Sequence, residues 1–190
     1  MARRAYYLSH PQVRIDPDLA IETWGLSDIG HARVAGLIAR GLPDIGVVYS
    51  SLEVKALETA RPLADALGCP LVNCAEMGEN DRSATGFLPP AEFEATADRF
   101  FAEPDVSVRG WETARAAQAR IVDAVQSALL DISGDALFVG HGGVGTLLFC
   151  ALRGVEIDRR YDQGPGGGGQ VFDWTVGHKP DAGWRRMEDL

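Results

Sequence analysis

Leu137-Phe138-Val139-Gly140-His141-Gly142-Gly143 is an apolar run that stops on a histidine and two glycines. Near the other end of the chain, Tyr6-Tyr7-Leu8-Ser9-His10-Pro11 repeats the arrangement, a strand-like run closed by a histidine and then by a proline that halts regular pairing. In an open parallel sheet the carboxyl ends of the strands share one edge, and ligands bind along that edge. Two imidazoles at two such ends can therefore face one another, however far apart they lie in sequence.

The segments between them alternate in character. Ala5–Ser9 reads as a strand and Arg14–Gly25 as a loop. Ser27 is a good N-cap for a helix over Asp28–Arg40, whose apolar positions include Ile29, Val34, Leu37 and Ile38. Ile45–Tyr49 is β-branched and reads as a buried strand. A helix from about Glu53 to Leu67 follows, ended by Gly68, with Pro62 predicting a kink or break near Arg61. Pro70–Cys74 is a strand candidate, and Ala75–Pro90 is polar and irregular. Helices are expected over Ala91–Ala102, Glu112–Leu130 and Val144–Leu152, with the Ala136–Val139 strand between the last two. Gln170–Val176 and Trp184–Met187 close the chain as a strand pair without an intervening helix. This alternation predicts one domain over residues 1–190. It would be a three-layer α/β/α sandwich with a mostly parallel sheet and an antiparallel edge.

Composition narrows the function classes. Hydrophobic residues make up 46% and charged residues 24% of the chain, as in an ordinary globular protein. The net charge of −9 argues against nucleic acid or an anionic membrane as partner. Cys69, Cys74 and Cys150 form neither a metal-ligand spacing nor an even disulfide set, which fits reduced thiols in the cytoplasm. No leader-type apolar segment follows Arg3-Arg4, and no run is long enough to span a bilayer. No cofactor is implied, and no His/Asp grouping has convincing metal-ligand spacing.

Several residues can carry chemistry. Gly142-Gly143 would bring backbone N–H groups close to a ligand. Ser50-Ser51, a helix start and Lys55 together suggest an anion cradle at a third strand end. With His10 as nucleophile, such a site would bind a phosphoryl group. The loop bearing Glu76, Glu79 and Asp81 is long enough to fold over it. His31 and His178 have no evident partners and read as solvated. Trp24, Trp111, Trp174 and Trp184 read as packing residues, with Trp111 also a candidate for an exposed homodimer contact. The tract Gly164–Gly169 reads more readily as a mobile hairpin than as a cleft wall. Gly140-His141-Gly142-Gly143-Val144-Gly145 formally satisfies a dinucleotide fingerprint, with Glu156 or Asp158 as the ribose acid. The short helix after it and the absence of a clear second βαβ unit argue against that reading.

The chain resembles the histidine phosphatase superfamily, the phosphoglycerate mutase-like group. That family has a strand ending Arg-His-Gly, a Leu-Thr/Ser-x-x-Gly helix start, a Ser-Ser-Pro-Leu-x-Arg-Ala-x-x-Thr-Ala block and a late Ser/Gly-His-Gly-Gly strand. Here these read Ser9-His10-Pro11, Leu26-Ser27-Asp28-Ile29-Gly30, Ser50-Ser51-Leu52-Glu53-Val54-Lys55-Ala56-Leu57-Glu58-Thr59-Ala60 and Gly140-His141-Gly142-Gly143. The resemblance implies that His10 is the nucleophile forming a phosphohistidine and that His141 stabilises the phosphoryl oxygens. An acidic loop residue, Glu79 before Glu76, would protonate the leaving oxygen and then activate water. It also implies a small phosphorylated substrate or phosphate as the ligand.

Three departures stand out: Pro11 replaces the family's glycine, and the other two fall on its arginines. Ser9 and Lys55 stand where the family carries arginine, so both bidentate phosphate forks are missing, and Ser9 and Lys55 are left as the phosphate-binding candidates at those places. Arg82 is the preferred replacement cation, oriented by Asn80, Asp81 and Ser83, and Arg14 the alternative. The favoured activity is metal-independent phosphomonoester hydrolysis. A catalytically impaired phospho-ligand binding protein and a phosphoglycerate mutase-type phosphotransferase are the alternatives.

Overall fold

The computed structural model describes residues 2–190, in which six strands form a single sheet. The strands are β1 (Arg4–Ser9), β2 (Val47–Ser50), β3 (Leu71–Asn73), β4 (Ala136–Gly140), β5 (Gln170–Thr175) and β6 (Arg185–Arg186). Their order is β3-β2-β4-β1-β5-β6; the first four are parallel, and β5 and β6 add an antiparallel edge beyond β1. Five helices accompany them: α1 (Asp28–Arg40), α2 (Val54–Leu67), α3 (Pro90–Ala102), α4 (Ala114–Leu130) and α5 (Gly142–Arg153). The expected sandwich is therefore the observed fold. None of these helices is long and apolar enough to cross a membrane.

Strand alternation sorts the core into two chemically distinct faces. Leu8, Val48, Leu137, Val139 and Val171 meet Val34 and Leu37 of α1 and Ala56, Ala60 and Leu63 of α2, making an aliphatic layer. Tyr7, Tyr49, Phe138, Phe172 and Trp174 point the other way, into α3, α4 and α5. Their rings stack across the sheet, Tyr49 on Phe138 at 5.2 Å and Tyr7 on Phe172 at 5.5 Å between centroids. Burying this much aromatic area anchors the sheet against α4 and α5.

The helix ends follow local chemistry. Ser27 Oγ accepts the Gly30 N–H at 3.2 Å, and Gly68 ends α2 in the left-handed region at φ 64°. Two sequence expectations shift here. The second strand starts at Val47 and reaches Ser50 rather than spanning Ile45–Tyr49. Pro62 does not break its helix, since α2 runs unbroken from Val54 to Leu67. Burial of Ala56, Ala60, Leu63 and Ala64 against the sheet outweighs the hydrogen bond that proline removes.

Candidate active site

Register brings the two histidines together. In the β1–β4 pair Ser9 lies opposite Gly140, so the next residue of each strand, His10 and His141, emerges at the same point of the carboxyl edge. The His10 N–H still donates to the Gly140 carbonyl at 2.9 Å, and the ring centroids are 5.3 Å apart, edge to face. The rings are in contact, so an oxyanion would lie beside them and not between them.

His10 Nδ1 is 2.8 Å from the Pro11 carbonyl oxygen. A carbonyl can only accept, so Nδ1 carries the proton and Nε2 keeps its lone pair. Burial, reinforced by the neighbouring His141, pushes the His10 imidazole down to about 3. The ring is thus neutral, with a free nitrogen, in a residue that lines the cleft.

His141 lies fully buried beneath it. Its backbone is clamped by Tyr7, whose hydroxyl accepts the His141 N–H at 3.0 Å and donates to the His141 carbonyl at 3.1 Å. Its Nε2 lies 2.7 Å from Ser51 Oγ and 3.2 Å from Glu53 Oε1, while Nδ1 has no partner among the described residues. Burial holds this imidazole below its usual range too.

Glu79 closes the arrangement from above. Its carboxylate accepts the Gly143 and Val144 N–H groups at 3.1 and 3.0 Å, at the start of α5. A Cβ on Gly143 would stand 2.7 Å from that carboxylate, so glycine is needed there for the contact. Arg120 of α4 steadies the loop by donating to the carbonyls of Glu76 and Gly78 at 2.6 and 3.0 Å. Glu76 itself is exposed and lines a separate cleft beside β3.

A cleft of about 440 Å³ opens over His10. Glu79, Asn80, Arg82, Trp111, Asp162, Gln163 and the glycine tract are among the residues lining it. The tract is therefore a cleft wall, against the expectation of a mobile hairpin. Gly169 donates to the His10 carbonyl at 2.9 Å, and at Gly168, φ 85°, a Cβ would fall 2.1 Å from that same oxygen. Arg82 reaches the cleft with its guanidinium 5.3 Å from the Phe93 ring and 5.7 Å from the Trp111 ring. These rings orient it, rather than the polar neighbours expected from the sequence, and no carboxylate pairs with it among the described residues. Trp111 is 2% exposed, as a packing residue and not as an exposed dimer contact, because it packs on Phe93 and Phe100 beneath that cation.

The other sequence candidates are turned to internal partners. Ser9 Oγ lies 2.5 Å from Gln163 Oε1 and accepts the Gln170 N–H at 3.0 Å, tying β1 to the glycine tract. Lys55 is 3% exposed, its ammonium donating to the Ile21 carbonyl at 2.8 Å and pairing with Glu53. Arg14 is absent from the cleft lining. His31, read as unpartnered, lies 3.6 Å from Glu58 on the next helix. The dinucleotide alternative loses its phosphate seat, because Glu79 already occupies the first N–H groups of α5.

Sequence reasoning missed Glu53 and Asp162, and named Asn80 only as a neighbour orienting Arg82. Glu53 stands where the resembling block carries leucine, which was the available signal. Its carboxylate meets His141 and Lys55 and accepts the Glu79 N–H at 2.8 Å. Burial raises this acid, but His141 and Lys55 pull it down to about 2. Asn80 is 6% exposed, and its Nδ2 has no partner among the described residues. Asp162 is a cleft carboxyl pushed up by burial, although it accepts hydrogen bonds from Gln163 N and Thr146 Oγ1.

Comparison with known proteins gives the family and the fold. Residues 17–167 match the family model of the histidine phosphatase superfamily (branch 1), and the chain belongs to that family. The matched span begins after His10, leaving the unusual Ser-His-Pro outside it. Among solved structures, YhfR of Bacillus stearothermophilus is similar over 95% of both chains, at 21% identity and a TM-score of 0.78. A mycobacterial glucosyl-3-phosphoglycerate phosphatase is similar over 97% of both chains, at 19% identity and a TM-score of 0.75. A putative alpha-ribazole-5'-P phosphatase of Escherichia coli K-12 is similar over 90% of both chains, at 18% identity and a TM-score of 0.69. No curated protein matches the sequence.

Proposed function

We propose that the protein hydrolyses phosphomonoesters through a phosphohistidine on His10, without a metal ion. The observation that carries this reading is the His10 Nδ1 contact with the Pro11 carbonyl, which leaves a neutral Nε2 lone pair in a residue lining the cleft. In-line attack by Nε2 forms the N–P bond as the ester oxygen leaves. Glu79 in its protonated form gives its proton to that oxygen, and the carboxylate so formed, held by the Gly143 and Val144 N–H groups, then takes one from the water that cleaves the N–P bond. Arg82, free of carboxylate partners, takes the charge on the phosphoryl oxygens, and His141 sets the position and field of the nucleophilic ring. Family membership and the phosphatases among the similar structures support the same reading.

The test is hydrolysis of a generic aryl phosphate by the wild type and His10→Ala, with acid quenching to trap an acid-labile phosphoenzyme. Turnover and label that both vanish in His10→Ala are expected. Equal, negligible rates in both proteins would favour the second reading, a phospho-ligand binding protein. That reading has its own support, since Ser9 and Lys55 are engaged internally and neither offers the fork of an arginine.

A further inference from the structure

Glu53 has no part in the chemistry outlined above, yet its carboxylate sits at the centre of the anion-binding groups. One oxygen is 3.2 Å from His141 Nε2 and accepts the Glu79 backbone N–H at 2.8 Å; the other pairs with the Lys55 ammonium. An imidazole, an ammonium and a backbone amide are the donors a phosphoryl group would seek. Here one side chain of the protein takes all three. The side chain is 15% exposed and lines a smaller cleft of about 200 Å³ together with Glu79, Asn80 and Arg82. It stays ionised, because burial, which disfavours its charge, is outweighed by His141 and Lys55.

We infer that Glu53 is a specificity-determining residue, a built-in carboxylate that keeps phosphoryl oxygens away from His141 and Lys55 and selects against dianionic phosphate. The inference rests on the reading of the paired histidines as a phosphoryl site. An incoming ligand must either displace Glu53 or bind beside a fixed negative charge. What remains for it are two groups that also line the main cleft: the Arg82 guanidinium and the Asn80 amide, a buried donor with no partner among the described residues. The phosphomonoesters that suit these groups are taken up as the monoanion, or shield the second charge with a cationic group of their own.

The experiment is calorimetric titration of inorganic phosphate, at about pH 8 where it is chiefly dianionic, into the wild type, Glu53→Gln and Glu53→Leu. Glutamine keeps an acceptor for the Glu79 N–H and removes the charge; leucine removes both. Loss of one nearby fixed charge should tighten phosphate binding by about tenfold or more in each variant. Variants that melt near the wild-type temperature but bind phosphate no more tightly would overturn the inference.

A second measurement needs no variant. In nitrogen-detected spectra of the wild type, phosphate should shift the His10 ring and the Asn80 side-chain amide and leave the His141 ring unmoved. A His141 shift that saturates in parallel with the others would also overturn it. Both readouts are of binding alone, so they decide the role of Glu53 even if His10→Ala shows the proposed hydrolysis to be wrong.

Discussion

The Tyr7 hydroxyl lies 3.0 Å from the His141 backbone nitrogen and 3.1 Å from its carbonyl oxygen, bridging a residue of β1 to the turn that ends β4. The hydroxyl is fully buried, and burial pushes it well above the usual phenol range. It therefore remains an O–H that donates and accepts at once, and it fixes the turn from which both His141 and α5 depart.

Tyr7→Phe removes that bridge and leaves the N–H of His141 unpaired in a dry core, while the His141 carbonyl keeps only the Gly145 N–H at 3.1 Å. The expected cost is about 1–3 kcal/mol of stability, read as a lower midpoint in urea. Because the ring stacks on Phe172 and is retained, the fold should persist while turnover falls with the loosened histidine pair. Unchanged stability in Tyr7→Phe would show that water repairs the turn.

Much of this fold was visible in the residues. Alternating apolar runs, the Ser27 cap and the glycines after helices marked nearly every element, since each depends on local chemistry. The two strand-end histidines were legible for the same reason. The role of Glu53 was not: the departure from leucine marks the position, but its contact with His141 depends on strand order, with β2 beside β4. Trp111 shows a similar limit, because only the placement of α3 decides whether an indole on a loop is covered. The Gly164–Gly169 tract reads as mobile in the sequence because its reason for existing, close approach to the His10 carbonyl, lies at the other end of the chain.

Acid should destabilise the protein early. The folded His10 imidazole takes its proton only near pH 3, whereas in the unfolded chain it does so near its ordinary value of 6.5. Below 6.5 the unfolded state binds more protons, so stability declines as pH falls from 6.5 towards 3, by on the order of a few kcal/mol. His141, also held low by burial, adds to the loss as pH falls below 6.5. Glu53, held at about 2, adds a further loss once pH drops below its ordinary value of 4.5. Urea midpoints measured across this range should fall monotonically with acid. A midpoint independent of pH between 6.5 and 5 would contradict neutral burial of the two rings.

Metal removal separates the proposed chemistry from a cation-dependent one. A phosphohistidine route that relies on Arg82 for charge needs no divalent ion, so exhaustive treatment with a chelator should leave turnover of an aryl phosphate intact. Activity lost to the chelator and restored by a divalent metal would show that the missing family arginines are replaced by an ion.

Arg82 and Lys55 should respond differently to truncation. Arg82 lies over Phe93 and Trp111 in the cleft with no carboxylate to neutralise it, and Lys55 is spent on Glu53 and the Ile21 carbonyl. Arg82→Ala should therefore cost about 10²–10³ in turnover, the scale for a lost donor to developing charge, with little change in melting. Lys55→Met should act chiefly on stability, because it leaves the Glu53 carboxylate with one partner fewer in a largely buried position. Arg82→Lys retains the charge without the planar fork and should recover only part of the rate. If Arg82→Ala left phosphate affinity and turnover at wild-type values while Lys55→Met abolished both, the cation that meets the substrate would be Lys55, and Glu53 would have to swing away from it during the reaction.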